Sequence, residues 1–500
     1  MPQEFATSSP AEPGQSRTVG PLAALSAFRS AFYAAISARA DAVFELTDAV
    51  LEHEGQVDSP PGLSLEGAFT RGHGSVYGAV NAGRIDPDSV RSAALVEPLP
   101  RMRGHIVLAV DVSPWLRPDA ECSPERLFCH VYGRGRGSDQ TIPGWPYSFL
   151  VAQTPGASSW VVPLSARRFG PDDDVQEATA SQVRAVVVDL VNAGQWAEGD
   201  RPIILVTDAG YVPARMAWQL DDLPVVVCSR VPSDRVYYGR AEPKAPGAVG
   251  PRPRHGRRHE CANPATWSVP DGAVTVPSTR YGQVRSRFWR FLHPKLTGRS
   301  AWVGHDGPLP VVEGTVVRLE VDHLPHQSRP DPVNLWISRA DLEAAMINTV
   351  WFAWLRRFDQ EHFHRFIKQD LGWTVPAVRD PRAADTWTVI VMAVYLQLWL
   401  ARDLVADHRL PWERPALPGH CSPRRVRRGL RNLRGALTRP ANVAKPTRPG
   451  PGRPKGAKNR RRAARHDPGK QTRRPGTNGL GRGNRAWSKQ SPKVNDASRP

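Results

Sequence analysis

The chain has few cysteines. There are 5 in 500 residues (Cys122, Cys129, Cys228, Cys261 and Cys421), and no two form a C-x-x-C pair. An odd count without a secretory leader argues against a disulfide framework. The opening MPQEFATSSPAEPGQSRTVG lacks a basic start followed by an apolar run, so no signal peptide is expected. Long apolar runs are also missing: VIVMAVYLQLWLA at 389–401 is too short to span a bilayer. A cytoplasmic protein without a membrane partner is the expectation. The first 420 residues have no excess of positive charge, with 43 basic against 46 acidic residues. The whole chain nonetheless carries +19, because residues 421–500 hold 24 Lys and Arg against two Asp, Asp467 and Asp496. A polyanion is the partner that suits such a tail. There is no internal repeat.

What is present reads as a folded body with 40% hydrophobic residues and a polar end. Residues 1–20 are expected to be disordered. Residues 21–100 alternate apolar and polar groups at helical spacing and read as a small helical domain, with DNA binding as its candidate role. From 101 to 230 the pattern is α/β. HIVLAVDVS (105–113) and RPIILVTDAGY (201–211) are continuous apolar strands that each end in an aspartate, and VQEATASQVRAVVVDLVNAG (175–194) between them is a helix closed by Gly194. Strands apolar on both faces, alternating with helices, imply a central sheet with a parallel component. Residues 231–337 are rich in Pro, Gly, Arg and Trp with short strand-like pieces, a β-rich insertion. Helices return at 338–408: one is capped by Ser338 with Asp341 at its third position and runs toward Gly372, and a second spans about 383–407. Residues 409–500 have too little apolar content to fold alone.

One stretch of the first of these helices, WLRRFDQEHFHRFIKQ (354–369), departs from a clean apolar face. A helix turns about 100° per residue, so with Glu361 at zero, Arg357 falls at roughly −40°, Lys368 at roughly −20° and Trp354 at roughly +20°. A solvated face with i,i+4 ion pairs is the bland reading of that stripe. Asp111 and Asp208 likewise have a bland reading, as turn formers at strand ends. Together, two carboxylates at strand ends and a third on a helix can converge on divalent metals, and a pair of Mg²⁺ ions about 3.5–4 Å apart suits phosphoryl displacement. Hard cations take oxygen ligands, which Asp and Glu supply.

These blocks resemble a DDE-type insertion-sequence transposase with a ribonuclease-H-like catalytic domain. The resemblance places a first aspartate on the first strand, Asp111 in LAVDVS. It places a second at a later strand end before a glycine and an aromatic, Asp208 in TDAGY with Gly210 and Tyr211. One branch carries Tyr, two residues, Arg, three residues, Glu, six residues, Lys on a helix. Arg357, Glu361 and Lys368 keep that spacing, with Trp354 in the tyrosine place. The same branch has a β-rich insertion before the glutamate. The resemblance covers about 105–407. It implies catalytic and metal-binding roles for Asp111, Asp208 and Glu361 with two Mg²⁺ or Mn²⁺ ions, and DNA contacts from Trp354, Arg357 and Lys368. It further implies cleavage at terminal inverted repeats, joining to target DNA, and a nucleoid-associated protein that is a homodimer on DNA. The rival readings are a ribonuclease-H-like nuclease without strand transfer, and a DNA-binding protein derived from a transposase but without catalysis.

Smaller signals remain. PGRPKGAKNRRR (451–462) resembles an AT-hook, with Gly452, Arg453 and Pro454 as the core that enters a narrow minor groove; a generic polycationic tail is the alternative. YGRGRGSD (132–139) is a phosphate cradle or a plain hairpin turn. His362 and His364 lack a partner set for zinc and read as surface or DNA-facing. Trp267, Trp289 and Trp302 read as core packing or as platforms for a displaced base.

Overall fold

The computed structural model describes residues 20–469 apart from 132–139, 157–158, 248, 297–304, 306, 325–329, 418, 446–454 and 457–461. The Gly/Arg loop at 132–139, Trp302 and the Gly452–Arg453–Pro454 core therefore lie outside the described residues.

The N-terminal region is helical but broken. Helix α1 (Pro21–Ala34) opens on a proline, whose missing N–H costs nothing at that position. The run then turns through a short strand, β1 (Ile36–Ala38), and Arg39 with φ 59°, before α2 (Ala40–Glu52). Helix α3 (Gly74–Ala82) leads to β2 (Arg84–Ile85), which pairs antiparallel with β1. Helix α4 (Pro87–Ala94) is capped by the Asp86 carboxylate, which accepts from the Asp88 and Ser89 N–H groups.

The sheet follows. Strands β3 (Arg101–Met102), β4 (His105–Leu116), β5 (Leu127–Val131), β6 (Gln140–Gln153) and β7 (Val161–Arg168) are antiparallel neighbours. After α5 (Val175–Asn192) comes β8 (Ile203–Thr207), which pairs parallel with β4. After α6 (Pro213–Gln219) comes β9 (Val225–Val231), parallel to β8. The central order is thus β7-β6-β4-β8-β9. The apolar runs explain this order, because every residue of β8 is buried and a parallel strand needs cover on both faces.

Residues beyond β9 extend the same sheet. Strands β10 (Val236–Tyr238), β11 (Arg258–Glu260), β12 (Gly272–Ser278), β13 (Gly282–Pro294), β14 (Gly314–Val321) and β15 (Val333–Ile337) form antiparallel ladders, and β15 joins the edge of β9. Strand β12 alternates half-buried and exposed residues, as a strand with one solvated face does. A small second core of Tyr237, Trp289, Val316 and Trp336 sits here.

The helical return differs from the sequence expectation in two ways. Ser338 belongs to the sheet: its N–H donates to the Val227 carbonyl and its hydroxyl oxygen accepts from the Val227 N–H. A side chain so engaged cannot cap a helix, and α7 opens later, at Ala344–Arg356. The helix is also not continuous. It breaks at Arg357, which ends α7 and begins α8 (Phe358–Gln369).

Helix α9 (Pro381–Ala401) is long and apolar enough by composition to cross a membrane. Its surface is instead covered by α1, α2, α3 and β7, and all of them share one hydrophobic core. Part of the segment expected to be an unfolded tail is ordered. Helix α10 (Pro423–Leu430) packs on α9 with Val426 and Leu430 buried. Two buried aliphatic anchors and a buried arginine supply the hold that composition alone obscures. Farther on, the Arg126 guanidinium donates to the His466 carbonyl, and the His466 N–H donates to the Glu121 carbonyl.

Candidate active site

Strand alternation aims Asp111. In the β4–β6 ladder Asp111 stands opposite Phe149, so both face the same side of the sheet. Phe149 packs edge-on against Phe363 of α8 at 5.7 Å, which puts α8 over that face. Its neighbour Ser148 points the other way and donates to Gln182 of α5. Parallel pairing then brings in Asp208. Ala109 is in register with Val206, and two further residues along each strand place Asp208 beside Asp111. Glu361 comes from the first turn of α8.

The three carboxylates meet at one guanidinium. Arg357 Nη1 is 3.7 Å from Asp111 Oδ2, and Nη2 is 3.7 Å from Asp208 Oδ2 and 3.8 Å from Glu361 Oε1. The arginine is buried, whereas the three acids are partly open to solvent. The Val112 N–H donates to Asp111 Oδ1 and fixes that carboxylate. Loss of solvent pushes the Asp111 carboxyl up to about 6, against the pull of Arg357. Asp208 Oδ1 is buried with no hydrogen-bond partner. Among the described residues, no three His, Cys, Asp or Glu side chains stand close enough together to ligate one ion. The guanidinium stands between the acids instead.

The remaining sequence candidates are placed as follows. Lys368, about two turns beyond Glu361 on α8, is half-buried with its ammonium 5.7 Å from the Trp373 ring, and burial lowers its pKa. Trp354 is half-buried on α7, packs against the main core, and leaves its indole N–H without a partner. Trp289 is buried and touches Trp267 at 5.3 Å. Trp267 is only half-buried, with Arg318 5.1 Å and Arg287 5.7 Å from its ring. Asp359, the other carboxylate on α8, is buried and pairs with Arg356 at 2.7 Å. Its charge is thereby committed to that partner.

His364 is the residue that the sequence reading misplaced. It is not a surface group. It is buried against the Phe149 ring at 5.3 Å, with Nδ1 4.0 Å from Asp111 Oδ2 and Nε2 unpartnered. Burial, with Lys368 and Arg357 nearby, pushes its pKa down to about 3, so it is neutral. The signal was available: His362 and His364 are about 200° apart around the helix, so both cannot face solvent. His364 falls on the Arg357 side, while His362 is exposed.

Chemically, the site offers oxygen donors of the kind a hard divalent cation takes, one of them with an unmet acceptor atom. A family model described as DDE superfamily endonuclease matches residues 31–294. That span contains Asp111 and Asp208 and ends before Glu361. No curated protein matches the chain.

Proposed function

The chain belongs to the DDE superfamily of endonucleases, and from that premise we propose that it is a DNA transposase, which cuts DNA at the ends of a mobile element and joins those ends to target DNA. The observation that carries this reading is the meeting of Asp111, Asp208 and Glu361 around one cation, across separations of 97 and 153 positions. The strand order β7-β6-β4-β8-β9, with antiparallel pairing up to β4 and parallel pairing from β4 to β9, supports a ribonuclease-H-like catalytic core.

In this reading Asp111, Asp208 and Glu361 hold two Mg²⁺ or Mn²⁺ ions. When bound, such a pair activates the attacking oxygen and stabilises the leaving one in an in-line displacement. The chain's own part is positional. The sheet fixes two carboxylates, and α8 carries the third together with the cations that grip phosphate. Arg357 and Lys368 would neutralise phosphates beside the cut, and Trp354 would offer a stacking face. Trp354 cannot offer the phenolic hydroxyl of a tyrosine, so the reading includes no hydroxyl contact to phosphate there. DNA is the substrate, as terminal repeat and as target, and a homodimer would bring two ends together.

The test uses the DNA that flanks the coding region as the source of the terminal repeat. A labelled repeat should be nicked in Mg²⁺ or Mn²⁺ by the wild type. Glu361→Gln should bind the repeat but not cut it, since the amide keeps size and loses the charge a hard cation needs. Lys368→Ala should weaken both. Near-wild-type cutting by Glu361→Gln would remove that residue from the site. Joining of a pre-cleaved end to a plasmid separates a transposase from a nuclease that lacks strand transfer.

A further inference from the structure

Arg357 stands where a metal ion would stand. Two other buried or partly buried ion pairs of this chain close to hydrogen-bond distance: Arg424 meets Asp370 at 2.6 and 2.8 Å, and Arg29 meets Asp48 at 2.7 and 2.9 Å. Arg356, the next residue back, donates to the Thr154 carbonyl at 3.1 Å and meets Asp359 at 2.7 Å. The three contacts of Arg357, at 3.7–3.8 Å, are too long for hydrogen bonds, and its Nε is buried without an acceptor. The guanidinium is therefore held by the combined field of three acids rather than by a directional fork. Its backbone is the single junction between α7 and α8, at φ −52° and ψ −26°.

We propose that Arg357 is the resident counter-cation of this site, and that it and a divalent ion are alternative occupants of the same carboxylates. The proposal rests on reading Asp111, Asp208 and Glu361 as metal ligands. Like charges a few ångströms apart repel, so the guanidinium and a dication cannot both sit among the acids. In the DNA-free chain Arg357 screens the three carboxylates from one another and weakens metal binding. A phosphate that draws the guanidinium away frees the site. Linkage makes the effect reciprocal: metal entry turns Arg357 outward and so strengthens its grip on phosphate.

The test measures free Mn²⁺ by electron paramagnetic resonance in titrations of the full chain without DNA. Arg357→Gln should bind Mn²⁺ roughly tenfold or more tightly than the wild type, a coupling of ordinary size. Without metal it should melt lower than the wild type, and Mn²⁺ should restore the loss. An arginine with a merely structural role gives no such rescue. Arg357→Lys, which keeps a cation, should fall between the two and serves if the glutamine variant does not fold. Mn²⁺ affinity equal to or below wild type in both variants, with wild-type binding still abolished by Asp111→Asn, overturns the inference alone. Mn²⁺ binding that Asp111→Asn leaves unchanged, or no binding by any variant, overturns the metal-site reading and the inference with it.

Discussion

His259 lies buried between Trp267 and Trp289 in the extension of the sheet, and its Nδ1 has no hydrogen-bond partner. Burial, with Arg257 nearby, pushes its pKa down to about 4, from an ordinary 6.5. The unfolded chain therefore takes up a proton near pH 6.5 that the folded chain refuses until about pH 4. Stability contributed by the neutral ring is present above pH 6.5 and is lost as pH falls through that window. His259→Phe should flatten the fall of melting temperature between pH 6.5 and 4, and an unchanged slope would place the acid sensitivity elsewhere. At this scale the sequence was informative where chemistry is local. Asp111, Asp208 and Glu361 were visible as acids at strand ends and on a helix stripe, and the Arg357–Glu361 pairing followed from i,i+4 spacing. The contacts of Arg357 with Asp111 and Asp208 were not visible, because they depend on how β4 and β8 lie under α8.

Gly372 closes the turn after α8 at φ 64°, and a Cβ there would meet the Val57 carbonyl at 2.6 Å. Gly372→Ala should cost at least about 1 kcal/mol, since the backbone conformation and the space both exclude the methyl; chemical denaturation reads the loss. Arg29 of α1 ties three parts of the chain together. It pairs with Asp48 of α2, touches Gln397 of α9 and donates to the Thr438 carbonyl. Asp48→Ala leaves that guanidinium buried without its counter-charge and should cost about 3–5 kcal/mol. A destabilisation within about 0.5 kcal/mol would show that the pair does not hold these elements together. The elements most legible in the sequence were the apolar strands and α5, whose closure at Gly194 (φ 68°) matches its expected end. The break at Arg357 was not legible. Nothing in WLRRFDQEHF interrupts helical propensity, so a junction at a single residue carries no sequence signal. Ser338 misled for a related reason: a capping residue and a ladder partner carry the same hydroxyl, and only the sheet decides.

The chain's charge and its fold divide at different places. The basic excess begins at 421, but α10 belongs to the body. Arg427 donates to the carbonyls of Val50, Gly55 and Asp370, and so ties the N-terminal helices to the end of α8. Removing residues 421–500 should therefore lower the melting temperature as well as DNA affinity. Removing 470–500, which holds 8 of the Lys and Arg and lies beyond the His466 contacts with Arg126 and Glu121, should leave melting unchanged. It should flatten the salt dependence of non-specific DNA binding by about 0.9 in log–log slope for each phosphate that the tail no longer neutralises. An unchanged slope would put the electrostatic grip before residue 470. The distance along the chain between the acids has a consequence in time. Asp111 leaves the ribosome roughly 250 residues before Glu361, an interval on the order of 12–50 s at about 5–20 residues per second. Helix α9, which packs against α1, comes later still. A nascent chain thus carries two of its three acids without the third, and under the proposed function a partly made copy would not yet be able to cut DNA.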